Sequence, residues 1–352
     1  MGAAVHIVAA SVRCPVGLTA VSAAAAVRAG ISRVAYDARF TDSAGKEVRC
    51  AQVPGLDERE SSAARIASLA ADLLRDVALA VAAKVTAIGG LADVPVWLAV
   101  PEDRSTFGPP NVAQLERTLR SSMMPPFGRT LNLLAQGHAG AALGLRAAMD
   151  RLASGRDDLC VVGGVDSYLD ADTLAWLEVE RRLACTGTRN GFAPGEGAAA
   201  VVLATDSVRR HLRLPSLGRV QEVACTYERR DPTGEVGLLG EGLTEALLLA
   251  TRDLRLPGEA ANDVYADING ERRRTEDWGF ALMRASHAMR DGTAYVTPVG
   301  SCGDMGAASA PMGCALAVHA WQRGYATGPR ALVSATSWAG LRGAVLLERV
   351  GA

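Results

Sequence analysis

The chain has 352 residues, of which 49% are hydrophobic and 21% charged, enough for one large domain or two of ordinary size. Its net charge of −1 gives no electrostatic reason to expect binding to nucleic acid or to an anionic membrane. No basic segment followed by a long apolar stretch opens the chain, so we expect no signal peptide. The longest apolar region, 77–100, is interrupted by Lys84, glycines and a proline, so we expect no membrane span.

Basic residues are almost all arginine, which is typical of a GC-rich bacterial genome, and we expect a cytoplasmic bacterial protein. The seven cysteines include no CxxC motif and no pair at metal-ligand spacing. We therefore expect reduced, mostly buried thiols, no metal site and no cofactor. The cysteines are Cys14, Cys50, Cys160, Cys185, Cys225, Cys302 and Cys314.

Predicted strands and helices alternate along the chain, which favours an α/β fold with helices packed on sheets. The predicted strands are 5–10, 96–100, 130–135, 159–162, 198–204, 218–227, 263–268, 294–297, 331–335 and 343–347. The predicted helices are 18–29, 57–84 (as one helix or two), 139–154, 170–183, 241–254 and 276–289. Segments 101–129 and 228–238 are interpreted as irregular loops. A boundary at 207–215 divides the chain into halves 1–206 and 216–352 that form one compact domain.

The turn at His138 joins the predicted strand 130–135 to a helix rich in small residues. A side chain at such a turn points into a pocket at a helix N-terminus, where the helix dipole lowers the pKa of a thiol or an imidazole. His138 is therefore a candidate functional residue.

An internal repeat links the two halves. The sequence Gly140-Ala141-Ala142 follows His138, and Gly306-Ala307-Ala308 follows Asp304 at the same offset; a helix and a strand come next in both cases. We interpret this as a duplication of two βαβ-type halves, with central helices between two sheets. The prediction is a five-layer αβαβα sandwich.

Several motifs resemble those of the thiolase-fold condensing enzymes, most closely the β-ketoacyl synthases. They are Val5–Ala10 with Cys14-Pro15-Val16-Gly17, Leu152–Gly155 with Val162-Gly163-Gly164-Val165, Asn190–Gly197, Ile268-Asn269-Gly270 with Asp277, and Gly303-Asp304 with Ala307-Ala308. The resemblance implies the thiolase fold and a dimer, homomeric or heteromeric, that pairs through the strand 130–135.

Three substitutions follow from this resemblance. His138 occupies the position of the nucleophilic cysteine, and Asn269 and Asp304 occupy those of the two catalytic histidines. An ionised Asp304 would repel a developing enolate, so decarboxylative condensation is not expected. Phe192, Cys302 and Trp338 are the candidate residues of the substrate pocket, and Trp338 is expected to plug the acyl tunnel. Cys302 is included because it lies two residues from Asp304, with a small apolar core residue as the alternative.

Two functions remain open. One is a non-catalytic partner or adaptor subunit, like the chain-length factors of ketosynthase pairs or a protein accessory to a bacterial secretion effector. The other is an altered acyltransferase or thioesterase that acts on an acyl thioester through His138, Asn269 and Asp304, with Ser301 or water as nucleophile. The run Arg272-Arg273-Arg274 is interpreted as a solvated loop, with contact to a phosphate or to an acyl carrier protein as the alternative.

Overall fold

The computed structural model describes residues 4–57, 59–86, 93–124, 127, 130–229 and 239–351. The strands are β1 (Val5–Arg13), β2 (Ala35–Thr41), β3 (Glu47–Cys50), β4 (Val96–Val100), β5 (Leu131–Ala135), β6 (Leu159–Ser167), β7 (Glu196–Thr205), β8 (Gly218–Tyr227), β9 (Asp263–Ala266), β10 (Tyr295–Val296), β11 (Arg330–Thr336) and β12 (Leu341–Glu348). The helices are α1 (Ala20–Arg28), α2 (Ser62–Thr86), α3 (Pro109–Ser122), α4 (Gly140–Ala153), α5 (Ala171–Val179), α6 (Asp206–His211), α7 (Glu241–Thr251), α8 (Arg272–Ala285), α9 (Val299–Cys302) and α10 (Ser309–Arg323).

Two halves of the chain repeat one sheet topology. The first half has the strand order β5-β4-β6-β7-β1, and the second has β10-β9-β11-β12-β8. Corresponding neighbours have the same polarity: the first two pairs are parallel and the last two antiparallel in both halves. A short antiparallel contact between β1 and β8 joins the halves into one ten-stranded sheet. The predicted α/β duplication is confirmed.

Five layers follow from where the helices pack. Helices α4 and α10 contact strands of both halves and form the middle layer, while α2 and α3 cover the first sheet and α7 and α8 the second. The largest apolar cluster lies in the middle layer, and separate clusters lie under each outer layer. Strand β7 is buried along its whole length, as the absence of polar residues from 198–204 predicts.

The repeat has a different register from the predicted one. Each central helix follows a 3-10 turn, Gly137–Ala139 before α4 and Gly306–Ala308 before α10. Both turns begin at a glycine with positive φ, 59° at Gly137 and 51° at Gly306. Gly306 therefore corresponds to Gly137 and not to Gly140, so Asp304 is not the symmetry counterpart of His138. The repeated Gly-Ala-Ala sequence does not mark equivalent positions in the two halves, because small residues recur throughout both helices.

Segment 101–129 was wrongly interpreted as a loop, because it contains α3. Pro109 and Pro110 occupy the first turn of α3, where a missing N–H costs nothing. Leu115 and Leu119, four residues apart, bury one face of the helix. In 228–238, residues 230–238 lie outside the described part of the chain.

Helix α8 begins at Arg272, four residues before the predicted start. This places the arginine run in the first turn of a helix, so its interpretation as a solvated loop is wrong for the buried Arg274. The β2–β3 hairpin was also not predicted. Across the described ranges, no helix is long and apolar enough to span a membrane, and no cluster of three or more metal-ligating side chains occurs.

Candidate functional site

His138 is held at the junction of β5 and α4 by a turn that only glycine can make. Gly137 has a φ of 59°, and a Cβ there would lie 2.7 Å from a carboxylate oxygen of Glu102. The turn directs the imidazole inward, and His138 is only 3% exposed. The side chain therefore lies inside the molecule and reaches solvent only through neighbouring residues.

The three predicted site residues meet in one hydrogen-bonded cluster. Nε2 of His138 lies 2.8 Å from Oδ1 of Asp304, and Nδ2 of Asn269 donates to Oδ2 of Asp304 at 2.5 Å. The backbone N–H of Gly306 also donates to Oδ1 of Asp304, at 2.7 Å. The backbone of Asp304 is fixed by hydrogen bonds to the turn at 193–195. The sequence prediction that these side chains converge is consistent with this geometry.

Arg274 is the central cation of the cluster. Its Nη2 lies 3.0 Å from Nε2 of His138, so the same imidazole nitrogen faces both Arg274 and Asp304. Nη1 binds the carboxylate of Asp267 and donates to the carbonyl oxygen of Thr336 at 2.6 Å. Because Arg274 is almost fully buried, these contacts replace its hydration.

Glu271 links Arg274 to a second buried arginine. The Nε atom of Arg274 lies 3.1 Å from Glu271, and the Nε atom of Arg182 donates to Glu271 at 2.7 Å. Nδ2 of Asn269 donates to Glu271 at 2.9 Å as well as to Asp304. Both N–H bonds of that amide are therefore engaged within the cluster.

Trp338 covers the cluster between two guanidinium groups. The guanidinium carbon of Arg182 lies 4.2 Å from the ring centroid and that of Arg273 lies 4.3 Å from it. The Glu102 carboxylate accepts hydrogen bonds from the backbone N–H groups of Trp338 (2.8 Å) and Ala339 (2.6 Å). The loop that carries Trp338 is thus fixed from two sides.

The charges in the cluster are set by neighbouring groups. Burial by itself would raise the pKa of Asp304, but His138, Arg274 and the Asn269 amide hold it well below its usual range. Burial likewise opposes ionisation of Glu271, but Arg182 and Arg274 lower its pKa to about 2. Both carboxylates are ionised at neutral pH. Asp304 therefore presents a negative charge beside His138 and Asn269, where it would repel a developing anion.

Little space remains beside His138. The cavity there has a volume of about 40 Å³. Its wall is formed by Glu102, Asp103, Arg104, Gly137, His138, Asp166, Tyr168, Trp176, Arg182 and Trp338. Sites for organic ligands have volumes of roughly 300–1,000 Å³, so this space is too small for an acyl thioester.

Of the three residues expected to line a substrate pocket, only Trp338 borders this cavity. Phe192 lies behind Arg182, with its ring centroid 5.4 Å from the guanidinium carbon. Cys302 lies in the central core, where its thiol hydrogen-bonds to Cys14 and its pKa is raised by that bond and by burial. A thiol with a raised pKa is a poor nucleophile, so its expected place in the pocket is corrected.

Sequence reasoning missed Arg274, Glu271, Arg182 and Glu102 as site residues. One signal was present for Arg274: the buried face of α8 also contains Asp277, Trp278 and Ala281, which lie three, four and seven residues later. A helix started at Arg272 places Arg274 on that face. No local pattern identifies Arg182 or Glu102, because their partners are far away in the chain.

Comparisons with known proteins agree with this fold. Residues 138–208 match the sequence model of the β-ketoacyl synthase N-terminal domain. A chain in the AntDE:AntF structure, described as a type II PKS acyl-carrier protein in complex with its ketosynthase bound to the hexaketide, has a TM-score of 0.80 at 13% identity over 100% of both chains. The chain therefore has the thiolase fold. No curated protein sequence matches it.

Two other solved structures share this fold. The ishigamide ketosynthase/chain length factor has a TM-score of 0.75 at 15% identity over 100% of both chains. The ketosynthase from module 6 of the bacillaene synthase of Bacillus subtilis 168 has a TM-score of 0.74 at 14% identity, covering 99% of this chain and 72% of that one. At these identities the likeness extends to the fold.

Proposed function

We propose that this ketosynthase-like chain is a non-catalytic partner or adaptor subunit. The observation that carries the proposal is the buried ion-paired cluster around Arg274, which includes the residues that the family resemblance assigns to a condensing site and leaves about 40 Å³ beside His138. A catalytic site needs a nucleophile, a free base and room for a substrate. Each requirement is considered in turn.

The imidazole of His138 is poorly placed to act as a base. In a catalytic triad, one ring nitrogen faces the carboxylate and the other faces the nucleophile. Here Nε2 faces both Asp304 and Arg274. A substrate or a water molecule near Nε2 would have to displace the Asp304 carboxylate or the Arg274 guanidinium from a buried contact, which leaves a charge unpaired and is costly.

The predicted residues Asn269 and Asp304 also offer nothing that would stabilise an oxyanion or an enolate. The Asn269 amide donates to Asp304 and Glu271, so it has no N–H left to offer to a substrate. Asp304 is itself anionic because His138 and Arg274 lower its pKa. Negative charge that develops beside it would be repelled, and condensation would be slowed.

We propose that this fold serves to bind a partner protein. Strand β5 is at the end of the ten-stranded sheet, and we propose that it pairs with a second thiolase-fold chain, identical or different. One structural relative is a ketosynthase/chain length factor, and another is described with an acyl-carrier protein. A chain-length-factor-like role, with an acyl carrier protein nearby, or an accessory role to a bacterial secretion effector fits this proposal.

The experiment is a native mass measurement of the tagged chain purified from the cells that make it. We expect a stoichiometric second protein, and its sequence will distinguish an active ketosynthase from a secreted effector. A homodimer with no second protein, bare or carrying the mass of an acyl or pantetheine group, would leave the pairing at β5 in place but would contradict the role as a subunit or adaptor for another protein.

The alternative function is an altered thioesterase or acyltransferase, which the His138–Asp304 contact at 2.8 Å favours. The test is hydrolysis of acyl-pantetheine thioesters by the purified chain and by its His138→Ala and Asp304→Asn variants. We expect all three to remain at the uncatalysed rate. Turnover that both substitutions abolish, while each variant stays folded, would establish the enzyme instead.

A further inference from the structure

A second cavity, far larger than the one beside His138, opens in the central layer near the edge strand β10. Its volume is about 380 Å³, within the range of ligand sites. Side chains of α1, α10 and β10 give it apolar walls, among them Val27, Leu316, Ala320 and Val296. Leu316 and Ala320 are buried, whereas Val296 is 39% exposed at the rim. The cavity therefore has an apolar interior and an open mouth.

A largely buried tyrosine, Tyr265, also lines this cavity. Tyr265 lies on β9 with its ring in the central core, whereas its neighbours Val264 and Ala266 pack against the outer layer. Tyr265 is only 5% exposed, and burial raises the pKa of its hydroxyl. In the described part of the chain this hydroxyl makes no hydrogen bond. A ligand acceptor within reach of this hydroxyl would gain a hydrogen bond.

The rim carries an oriented cation. Arg28 is in the last turn of α1, and its guanidinium carbon lies 3.9 Å from the ring centroid of Tyr325. Among the residues that the structure describes, Arg28 has no carboxylate within ion-pair distance. The stacking holds the guanidinium at the mouth with its N–H donors available for an anion.

One acidic residue limits the charge that the site accepts. Asp263 also lines the cavity, and its carboxylate accepts hydrogen bonds from the Thr327 hydroxyl at 2.9 Å and from the Thr327 backbone N–H at 3.1 Å. Its negative charge balances that of Arg28 and disfavours a second anionic group on a ligand. We propose that this cavity binds an apolar monocarboxylate, with the hydrocarbon body inside and the carboxylate at Arg28.

The test is isothermal titration of the full chain with decanoate. We expect saturable binding, about tenfold weaker for Arg28→Gln because a charge-assisted hydrogen bond is lost. Tyr265→Phe should weaken binding about fivefold. Ala294→Trp, at the exposed rim, should abolish it by filling the mouth. The matched control is Arg255→Gln, an exposed arginine outside the cavity, which should bind like the unchanged chain.

Decanol is the uncharged comparison ligand. We expect it to bind the unchanged chain more weakly than decanoate does, and to bind Arg28→Gln with the same affinity as decanoate does. The proposal is overturned if decanoate does not bind, or if Arg28→Gln and Ala294→Trp bind it as the unchanged chain does. Circular dichroism of each variant separates loss of binding from loss of fold. None of these results depends on whether the His138 cluster is catalytic.

Discussion

Three consecutive arginines show how strongly the environment of a residue decides its role. Arg272 is exposed and pairs with Glu276 one turn later, Arg273 stacks on Trp338, and Arg274 is buried among carboxylates. Burial and the nearby arginines lower the pKa of Arg273 to about 10, whereas the carboxylates around Arg274 outweigh its burial and raise its pKa. The cluster at the candidate site therefore depends on one member of the run.

Arg274→Met should lower the free energy of unfolding by about 3–5 kcal/mol, because Asp267, Glu271 and Asp304 would keep buried charges without their shared cation. Urea denaturation measures the change. The neighbouring variant Arg272→Met is the control, and its effect should stay within about 0.5 kcal/mol because that ion pair is solvated. Equal effects of the two substitutions would show that the buried cluster does not stabilise the fold.

At the scale of the elements, strand β6 and the 3-10 turn before α10 approach each other closely. A Cβ built on Gly164 would lie 1.9 Å from the carbonyl oxygen of Ala307, a distance that no backbone tolerates. The same turn donates the Ala307 N–H to the Asp166 carboxylate at 3.2 Å. The turn that follows Asp304 is therefore positioned by a glycine on the opposite sheet.

Gly164→Ala should destabilise the protein by about 3 kcal/mol or more, because the middle layer would have to move away from the sheet. The control is Gly279→Ala, on the exposed face of α8 with nothing within 4 Å of the added methyl group. That control should stabilise by about 0.5–1 kcal/mol through helix propensity. Thermal unfolding of both variants measures the difference, and a Gly164→Ala variant as stable as the unchanged chain would refute the close approach.

At the scale of the whole molecule, the duplication leaves two edge strands, β10 and β5, which differ in length and in what surrounds them. Strand β10 has two residues and borders the apolar cavity, while β5 has five residues and is half-buried along most of its length. The Val96 N–H donates to the Thr130 carbonyl, which sets the hydrogen-bond register of the parallel β4–β5 pair. In this register the Leu133 N–H points away from β4. An unpaired apolar edge of this kind is a template for another strand.

Leu133→Pro should therefore weaken dimerisation, because it removes an outward-facing N–H and leaves the ladder to β4 in place. Native mass spectrometry over a dilution series measures the shift, and we expect dissociation at about tenfold higher concentration or more. Circular dichroism checks that the monomer is folded. Unchanged dimerisation of a folded variant would place the interface elsewhere.

Much of the architecture was predictable from the amino-acid sequence. Alternating apolar runs located most strands, among them 96–100 and 218–227, whose predicted bounds match β4 and β8. Motifs around Gly163-Gly164 and Asn190–Gly197 identified the thiolase fold. Both signals are local, because a strand's apolar pattern and a glycine turn are determined within a few neighbouring residues. Helix α3 was not predicted; its buried face has only Leu115 and Leu119, a weak periodic signal.

The candidate site was predictable only in part. His138, Asn269 and Asp304 were identified by motif, and they do meet. Their chemistry could not be inferred, because it depends on Arg274, Arg182 and Glu102, which are brought together from three distant segments. A pairwise charge interaction acts through a few ångströms of space, and no sequence spacing records that distance.

Local sequence patterns were enough to predict the fold and the duplication and to select His138, Asn269 and Asp304 as candidates. The tertiary structure was needed to show that these three residues lie in a buried ion-paired cluster, that Trp338 is held over it between two arginines, and that the large cavity lies beside Arg28 and Tyr265. The physical reason is that apolar periodicity and turn chemistry are properties of neighbouring residues. Burial, pKa and cavity volume are properties of whole layers in contact.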